Sequence, residues 1–369
     1  MSTSVLATIA LAQAVFLVLL LVLLLTRRLV VGFHEGRADQ CMALATRAVG
    51  RWLAGEADEE HLRSSLDRLS FADQCNYLQR LSIQLGGDDW ERLSRVMRGT
   101  KWFEKVRTYS GSRLWWRRLL AARAFMVVGS AEDLPHIEAL LRDDRAPVRR
   151  AAVWSLKRVQ SPALAAAVLE MAPREPRVMR TQVLEILAGS RVHVLGPLIE
   201  SLRSSRGREE LRTALALSEM LGVPGLLEHV VPHADNPDFE IRIVAARSLA
   251  EYPHARSSRT LVKLLHDPAW QVRAQAAAGL GSIGAREAAT DLNGALSDSN
   301  WWVRLRSALA LRRIGAEGIS LLERRRPEDD AYAYEMAQYV LHLDAAAVAE
   351  YAGAYVVDYS EAPSSEHAA

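Results

Sequence analysis

Residues Ala269–Gly284 read AWQVRAQAAAGLGSIG, and Asn300–Gly315 read NWWVRLRSALALRRIG. Laid over one another, the two phrases share a tryptophan, then Val-Arg, then small and apolar residues at helical spacing, then Ile-Gly. The phrase can be followed back toward the N-terminus as IRIVAARSL from Ile241 and VRRAAVWSL from Val148. It begins in SRLWWRRLLAARAFMVVG, residues Ser112–Gly129. Its successive starts are Arg117, Val148, Val178, Leu211, Ile241, Val272 and Val303, so the step from one to the next is nearly constant. A fixed period of this length marks an array in which one supersecondary unit is repeated.

Within each period the phrase is followed by a turn, often at glycine (Gly129, Gly222, Gly284, Gly315), and then by a second apolar segment. Examples of the second segment are LPHIEALLRDD from Leu134, RTLVKLLHDP from Arg259 and ATDLNGALSD from Ala289. Both segments place apolar residues three and four apart, which predicts a pair of helices per unit. Asp267-Pro268, Asp298-Ser299 and Asn236-Pro237 close one unit and cap the next, as short polar side chains and proline do at helix starts. One such pair cannot bury its own apolar faces, so the pairs must stack.

The pattern resembles the HEAT-repeat family, in particular the short bacterial HEAT-like repeats found in phycobilisome-lyase-type proteins. The resemblance spans about residues 113–325. It implies an all-α, right-handed α-solenoid of about seven helix pairs with irregular helical caps. It also implies that the Arg after the apolar start bonds acidic groups and turn carbonyls of neighbouring units. By position that ladder is Arg118, Arg149, Arg212, Arg242, Arg273 and Arg304, with a weaker joint at the third unit, where Met179 takes the place and Arg180 follows. The family is an architecture and names no reaction.

The ends differ from the middle. Residues 32–112 are helical by period but lack the Val-Arg phrase, and are expected to form an irregular N-terminal cap of four or five helices. Asp58, Ser70 and Asp88 are its candidate N-caps, and Gly55, Gly86-Gly87, Gly99 and Gly111 its breaks. The array is expected over 113–326. A tyrosine-rich acidic cap follows over 327–359, with its helix or helix pair between about Asp329 and Tyr351, and a disordered tail over 360–369. From Pro327 onward there are nine acidic residues and no Lys or Arg. Between Glu91 and Arg123, ten Lys or Arg face two Glu. The net charge of +2 therefore conceals a basic body and an acidic end.

Val5–Leu25 is an uncharged run interrupted only by Thr8 and Gln13. As a helix it spans about 30 Å, the thickness of a bilayer's hydrocarbon core. No basic residue precedes it and no small-residue cleavage site follows, which argues against a removed signal peptide. Arg27, Arg28 and Arg37 follow directly, so the expected topology is a retained single-pass anchor over residues 1–31. The N-terminus then lies outside, and the rest lies on the cytoplasmic side of an inner membrane of bacterial type. Cys41 and Cys75 are the only cysteines, too few for a disulfide framework or a cysteine-built metal site.

No phosphate-binding glycine loop, nucleophile elbow or dinucleotide fingerprint occurs. His229 and His233 have the spacing of a metal-binding helix face, but Pro232 lies between them and no third ligand is near in sequence. Asp143-Asp144 and Asp329-Asp330 read as helix caps. No cofactor, metal or catalytic residue is expected, and nucleic acid is not the expected partner. The candidate partner or lipid surface comprises Arg92, Arg95, Arg98, Lys101, Lys105 and Arg107, interleaved with tryptophans, together with Arg259 and Lys263 on a second helix. The resulting expectation is a membrane-anchored scaffold, not an enzyme. It would hold a protein partner, such as a membrane-associated glycosyltransferase by resemblance to anchored bacterial HEAT proteins. The alternative is a lyase-like protein acting on a tetrapyrrole or another bound small molecule, with the tyrosine-rich cap supplying its side chains.

Overall fold

The structure is a computed structural model that describes residues 16–22, 39–205 and 207–353. All its regular elements are helices; among the described residues there is no strand. The chain divides into two compact units between Val159 and Gln160. That boundary falls inside the expected array, in the turn between Trp154–Lys157 and the helix Pro162–Met171.

The first unit begins with five helices, over residues 39–53, Glu59–Leu66, Phe71–Gln84, Gly87–Arg98 and Lys101–Ser110. Asp58 and Ser70 cap their helices by accepting the N–H of His61 and Asp73 at 2.8 and 3.2 Å. Asp88 does not cap: the N-cap is Gly86, two residues earlier, and Asp88 sits in the first turn where its charge still suits the helix dipole. The glycine breaks fall at helix ends, and Gly55 and Gly87 have φ of +77° and +61°, a region open mainly to glycine. Trp52, Trp90, Trp102, Phe103 and Phe125 are buried. Phe71 tilts against Trp102 and Tyr109 with ring centroids 5.6 and 4.7 Å apart. Each such ring contributes about 1.5–3 kcal/mol by burial, so the cap's stability rests on its aromatic core. The first repeat follows as Trp115–Val128 and Leu134–Leu141, and the second opens with Ala146–Val153.

In the second unit, first helices alternate with second helices. The firsts are Arg177–Gly189, Arg208–Leu221, Phe239–Leu249, Trp270–Ser282 and Trp301–Ile314. Among the seconds are Arg191–Ser204, Ala255–Leu264 and Ala316–Glu323. Trp270–Ser282 and Trp301–Ile314 are buried over most of their surface because neighbours cover them on both sides. In Trp270–Ser282, for example, Val272, Ala274, Gln275, Ala276, Ala277, Gly279, Leu280 and Gly281 are all buried. A Cβ on Gly281 would lie 2.8 Å from both Cα and Cβ of Ala310 on the next first helix, so the stacking distance is set by that glycine. Second helices are amphipathic. Ala255–Leu264 buries Ser257, Ser258, Leu261 and Leu264 and leaves Arg259 and Lys263 in solvent.

One register differs from the expected repeat. Val178 is 70% exposed, whereas Val148, Ile241, Val272 and Val303 are buried. Met179 is the equivalent position, since the Arg that follows the apolar start there is Arg180. With that shift the steps from Val148 and to Leu211 become more nearly equal. The unit closes with Ala331–His342, capped by Asp330 accepting the Ala333 N–H at 3.0 Å, and with Ala345–Gly353.

No helix among the described residues is long and apolar enough to cross a membrane. The expected anchor lies largely outside them. Of residues 5–25 only 16–22 are described, as helix, and all seven are exposed. Arg27, Arg28 and Arg37, Tyr355 and Tyr359, and the tail 360–369 also lie outside the described residues.

Candidate functional site

The repeats are joined by a ladder of arginines, and three of its rungs, each facing an Asp of the following turn, share one geometry. Arg273 directs Nε and Nη2 at the two carboxylate oxygens of Asp298, at 2.7 and 2.9 Å. Its Nη1 reaches back to the carbonyls of Asp267 and Pro268 at 2.9 and 3.2 Å. Arg242 does the same with Asp267 (2.7 and 2.8 Å) and with the carbonyls of Asn236 and Pro237 (2.9 and 3.1 Å). In the first unit Arg118 binds Asp143 at 2.5 and 2.9 Å and the carbonyls of Ser112 and Arg113 at 3.0 and 3.2 Å. The planar guanidinium is what allows a fork onto a carboxylate and a third contact in the same plane.

Each rung Asp has a second role. Asp298 also accepts the Asn300 N–H at 2.8 Å, and Asp267 the Ala269 N–H at 2.9 Å, so the carboxylate that binds the preceding arginine also starts the following helix. The next arginine then takes that residue's carbonyl: Arg304 donates to Asp298 O at 2.9 Å and Arg149 to Asp143 O at 2.9 Å. Burial acts to raise the Asp298 pKa, but the Arg273 hydrogen bonds, the Asn300 N–H and the charges of Arg273 and Arg304 outweigh it, leaving the pKa below its ordinary value. Asp143 behaves alike: burial is outweighed by Arg118, the Arg145 N–H and Asp144. Arg118, Arg242 and Arg273 are all held more firmly protonated, chiefly by the hydrogen bond to their carboxylate.

The other rungs depart in ways the local sequence explains. Arg149 keeps its turn carbonyls, Asp143 O and Asp144 O at 2.9 and 3.2 Å, and the position in register with the rung Asp is Arg174. Arg304 keeps Asp298 O and Ser299 O, while its guanidinium lies 5.4 Å over the Tyr332 ring. Arg212 turns instead to Glu209 and Glu240, at 3.3 and 3.0 Å. The third-unit joint is carried by Arg180, which reaches Glu209 at 2.5 Å and the carbonyls of Pro173 and Glu175 at 3.2 and 3.3 Å.

The candidate surface residues separate into two sets. Arg92 stacks over Trp52 at 5.0 Å and lies 3.7 Å from Asp89; Arg98 donates to Val128 O at 3.3 Å; Arg107 donates to the buried Asp133 at 2.9 Å. Arg92 thus serves the cap's own packing, and Arg98 and Arg107 tie the cap to the first repeat. Arg95, Lys101 and Lys105 are exposed. Arg259 is exposed as well, and Lys263 pairs with Asp235 at 2.5 Å with both side chains about two-thirds in solvent, a contact worth little. His233 donates Nε2–H to Leu202 O at 3.0 Å, and burial lowers its pKa. No group of three or more His, Cys, Asp or Glu among the described residues is placed to hold a metal ion. Tyr334, Tyr339 and His342 line a shallow groove on the last cap, where the Tyr339 and Tyr351 hydroxyls bond at 2.8 Å.

Sequence reasoning missed a buried polar seam. Ser218 and Ser248 hydroxyls bond at 2.6 Å, Tyr252 donates to Ser218 O at 2.9 Å, and Arg247 binds Glu219 at 2.6 Å. Its signal was the small residue seven positions after the apolar start, which recurs as Ser155, Ser218 and Ser248.

This joint geometry is complete at Arg118, Arg242 and Arg273. Residues 258–341 match the HEAT repeats family. The matched HEAT repeats contain the Arg273–Asp298–Arg304 part of the ladder. No curated protein sequence matches the chain. Among solved structures, the karyopherin Kap121p superposes with a TM-score of 0.57 at 11% identity, over 86% of this chain and 43% of its own. Kap121p bound to the extreme C-terminus of the protein phosphatase Cdc14p gives 0.55 at 11%, over 82% and 39%. Kap121p bound to the SUMO protease Ulp1p gives 0.56 at 11%, over the same shares. The chain thus spans about two fifths of the karyopherin's length, and the likeness is one of fold: an all-helical solenoid of HEAT type.

Proposed function

We propose that this chain is a membrane-anchored scaffold whose HEAT repeats hold a protein partner on the cytoplasmic side of an inner membrane of bacterial type, without catalysing a reaction itself. The observation that carries the protein-binding part is the solenoid fold shared over most of the chain with karyopherin Kap121p, which has been seen bound to the extreme C-terminus of the protein phosphatase Cdc14p and to the SUMO protease Ulp1p. A stack of helix pairs presents second helices side by side, a surface suited to a protein or an extended peptide. The ladder supports this use: at Arg242 and Arg273 it ties neighbouring pairs through backbone carbonyls and buried carboxylates, and it leaves Arg259 and Lys263 outside the joints. The anchoring part is supported by the uncharged run over 5–25 and by the exposure of every apolar side chain in its described portion. A chain confined to the membrane meets membrane-associated partners most often, so a membrane-associated enzyme is the partner class we favour.

The test is co-purification of the full chain from detergent-solubilised membranes, wild type against Arg259→Glu with Lys263→Glu. Both side chains lie in solvent, so the fold is unaffected and its circular dichroism unchanged. Loss of a specific co-purifying protein in the variant is the expected result. Equal recovery from both forms contradicts partner binding at this face.

A further inference from the structure

We propose that the edge of the first unit formed by Arg113, Leu114, Trp115 and Trp116, with Lys101 and Lys105 on the preceding helix, rests on an anionic lipid bilayer. The unit buries Trp52, Trp90 and Trp102 almost completely, yet Leu114, Trp115 and Trp116 are 45, 45 and 44% exposed, three large apolar side chains in a row. They stand where the turn after Ser110 enters the helix Trp115–Val128, with Leu114 as its N-cap. Arg117 sandwiches the edge together: its guanidinium lies 5.1 Å from the Tyr109 ring and 5.1 Å from the Trp116 ring. Lys101 and Lys105 precede Tyr109 at four-residue steps on the helix Lys101–Ser110, so they share its face, and both are exposed. Indoles flanked by exposed cations are the side chains that settle at headgroup level, the rings in the interface and the charges against anionic phosphates. Charge selects this occupant. A second copy would set one basic edge against another, in a stretch where ten Lys or Arg face two Glu.

The test uses the full chain incorporated in vesicles of phosphatidylcholine alone or mixed with phosphatidylglycerol, with brominated acyl chains as quenchers of tryptophan fluorescence. Residues 1–51 contain no tryptophan, so anchoring by the N-terminal segment produces no quenching of its own. Wild type should be quenched on the anionic vesicles, weakly on the neutral ones, and less as salt is raised. Trp115→Ser with Trp116→Ser should remove the quenching, and so should Lys101→Glu, Lys105→Glu and Arg113→Glu together, which retain all tryptophans and report on charge without touching the rings. Unchanged helicity in both variants verifies the fold. Quenching that is equal on both lipids, or that survives loss of Trp115 and Trp116, overturns the proposal. So does an unquenched wild type, whether the indoles are then shielded by a second copy, by the acidic C-terminal segment or by a protein partner. Release of the chain from neutral vesicles with quenching retained on anionic ones would count against the anchor alone.

Discussion

Replacing Arg273 by Ala tests whether the ladder holds the repeats together. The substitution deletes a forked ion pair to Asp298 and two hydrogen bonds to the turn carbonyls of Asp267 and Pro268. Asp298 is left with its N–H contact from Asn300, in a site where its side chain is only 11% exposed. Removing one member of a buried pair costs about 3–5 kcal/mol, because the other charge stays desolvated without its counter-ion. The loss should be local. In a stack of repeats, stability is close to a sum of intrinsic and nearest-neighbour terms, so the helices Trp270–Ser282 and Trp301–Ile314 should open while the N-terminal cap does not. Native-state hydrogen exchange resolved by mass spectrometry reads this directly. A local change of about 3 kcal/mol speeds exchange through opening by roughly 150-fold. Arg273→Lys should recover only part of the loss, since an ammonium cannot fork onto the carboxylate and reach the carbonyls in one plane. Arg304→Ala, which forfeits the turn carbonyls and a ring contact but no such carboxylate fork, should be milder. A change below about 1 kcal/mol for Arg273→Ala, the level of a surface ion pair, or full rescue by Lys, would mean that the ladder does not hold the repeats together.

Gly281→Val should destabilise the same joint by about 1–3 kcal/mol, as overpacking does, because even a Cβ would lie 2.8 Å from Ala310; thermal unfolding checks it. Stability should also fall in acid. The pKa values of Asp143 and Asp298 are lowered in the folded state, so their contribution is present above about pH 4, the ordinary carboxylate value, and is lost as pH falls through the folded value. Asp298→Asn should be less stable at neutral pH and show a shallower acid limb in denaturant titrations. Burial pushes the Cys75 thiol up to about 12, against a smaller opposing effect of Arg123, so alkylation at pH 8 should modify the half-buried Cys41 first; simultaneous modification would mean that the helix Phe71–Gln84 opens readily.

The parts of this structure that were legible in the sequence are those where one local cause acts alone. Val148, Val272 and Val303 are buried and announced themselves by period, and Asp58 and Ser70 by the chemistry of capping. Asp88 failed because two glycines before it compete for the cap, and Gly86 took it. Val178 failed because a valine satisfies the pattern as well as Met179 does; only the burial of Val183, Leu184 and Leu187 fixes which way the helix faces. The functional surface was harder to read, because exposure is a tertiary property. Trp90, Trp102, Trp115 and Trp116 look alike in a basic stretch, yet the first two are core and the last two are surface. Likewise Arg107 and Lys105 are near neighbours, but the buried Asp133, from the next repeat along the chain, engages only Arg107.

If the second helices of the HEAT repeats hold a protein partner, as proposed, that partner lies within reach of Arg259. Site-directed photo-crosslinking in intact cells reads this out, with the photoreactive residue placed at Arg259 on a second helix or at Ile83, which is 84% exposed in the N-terminal cap. Position 259 should give one discrete protein adduct, lost when Lys263 is reversed to Glu, and position 83 no such adduct. No adduct from position 259, or the same adducts from both positions, would contradict it.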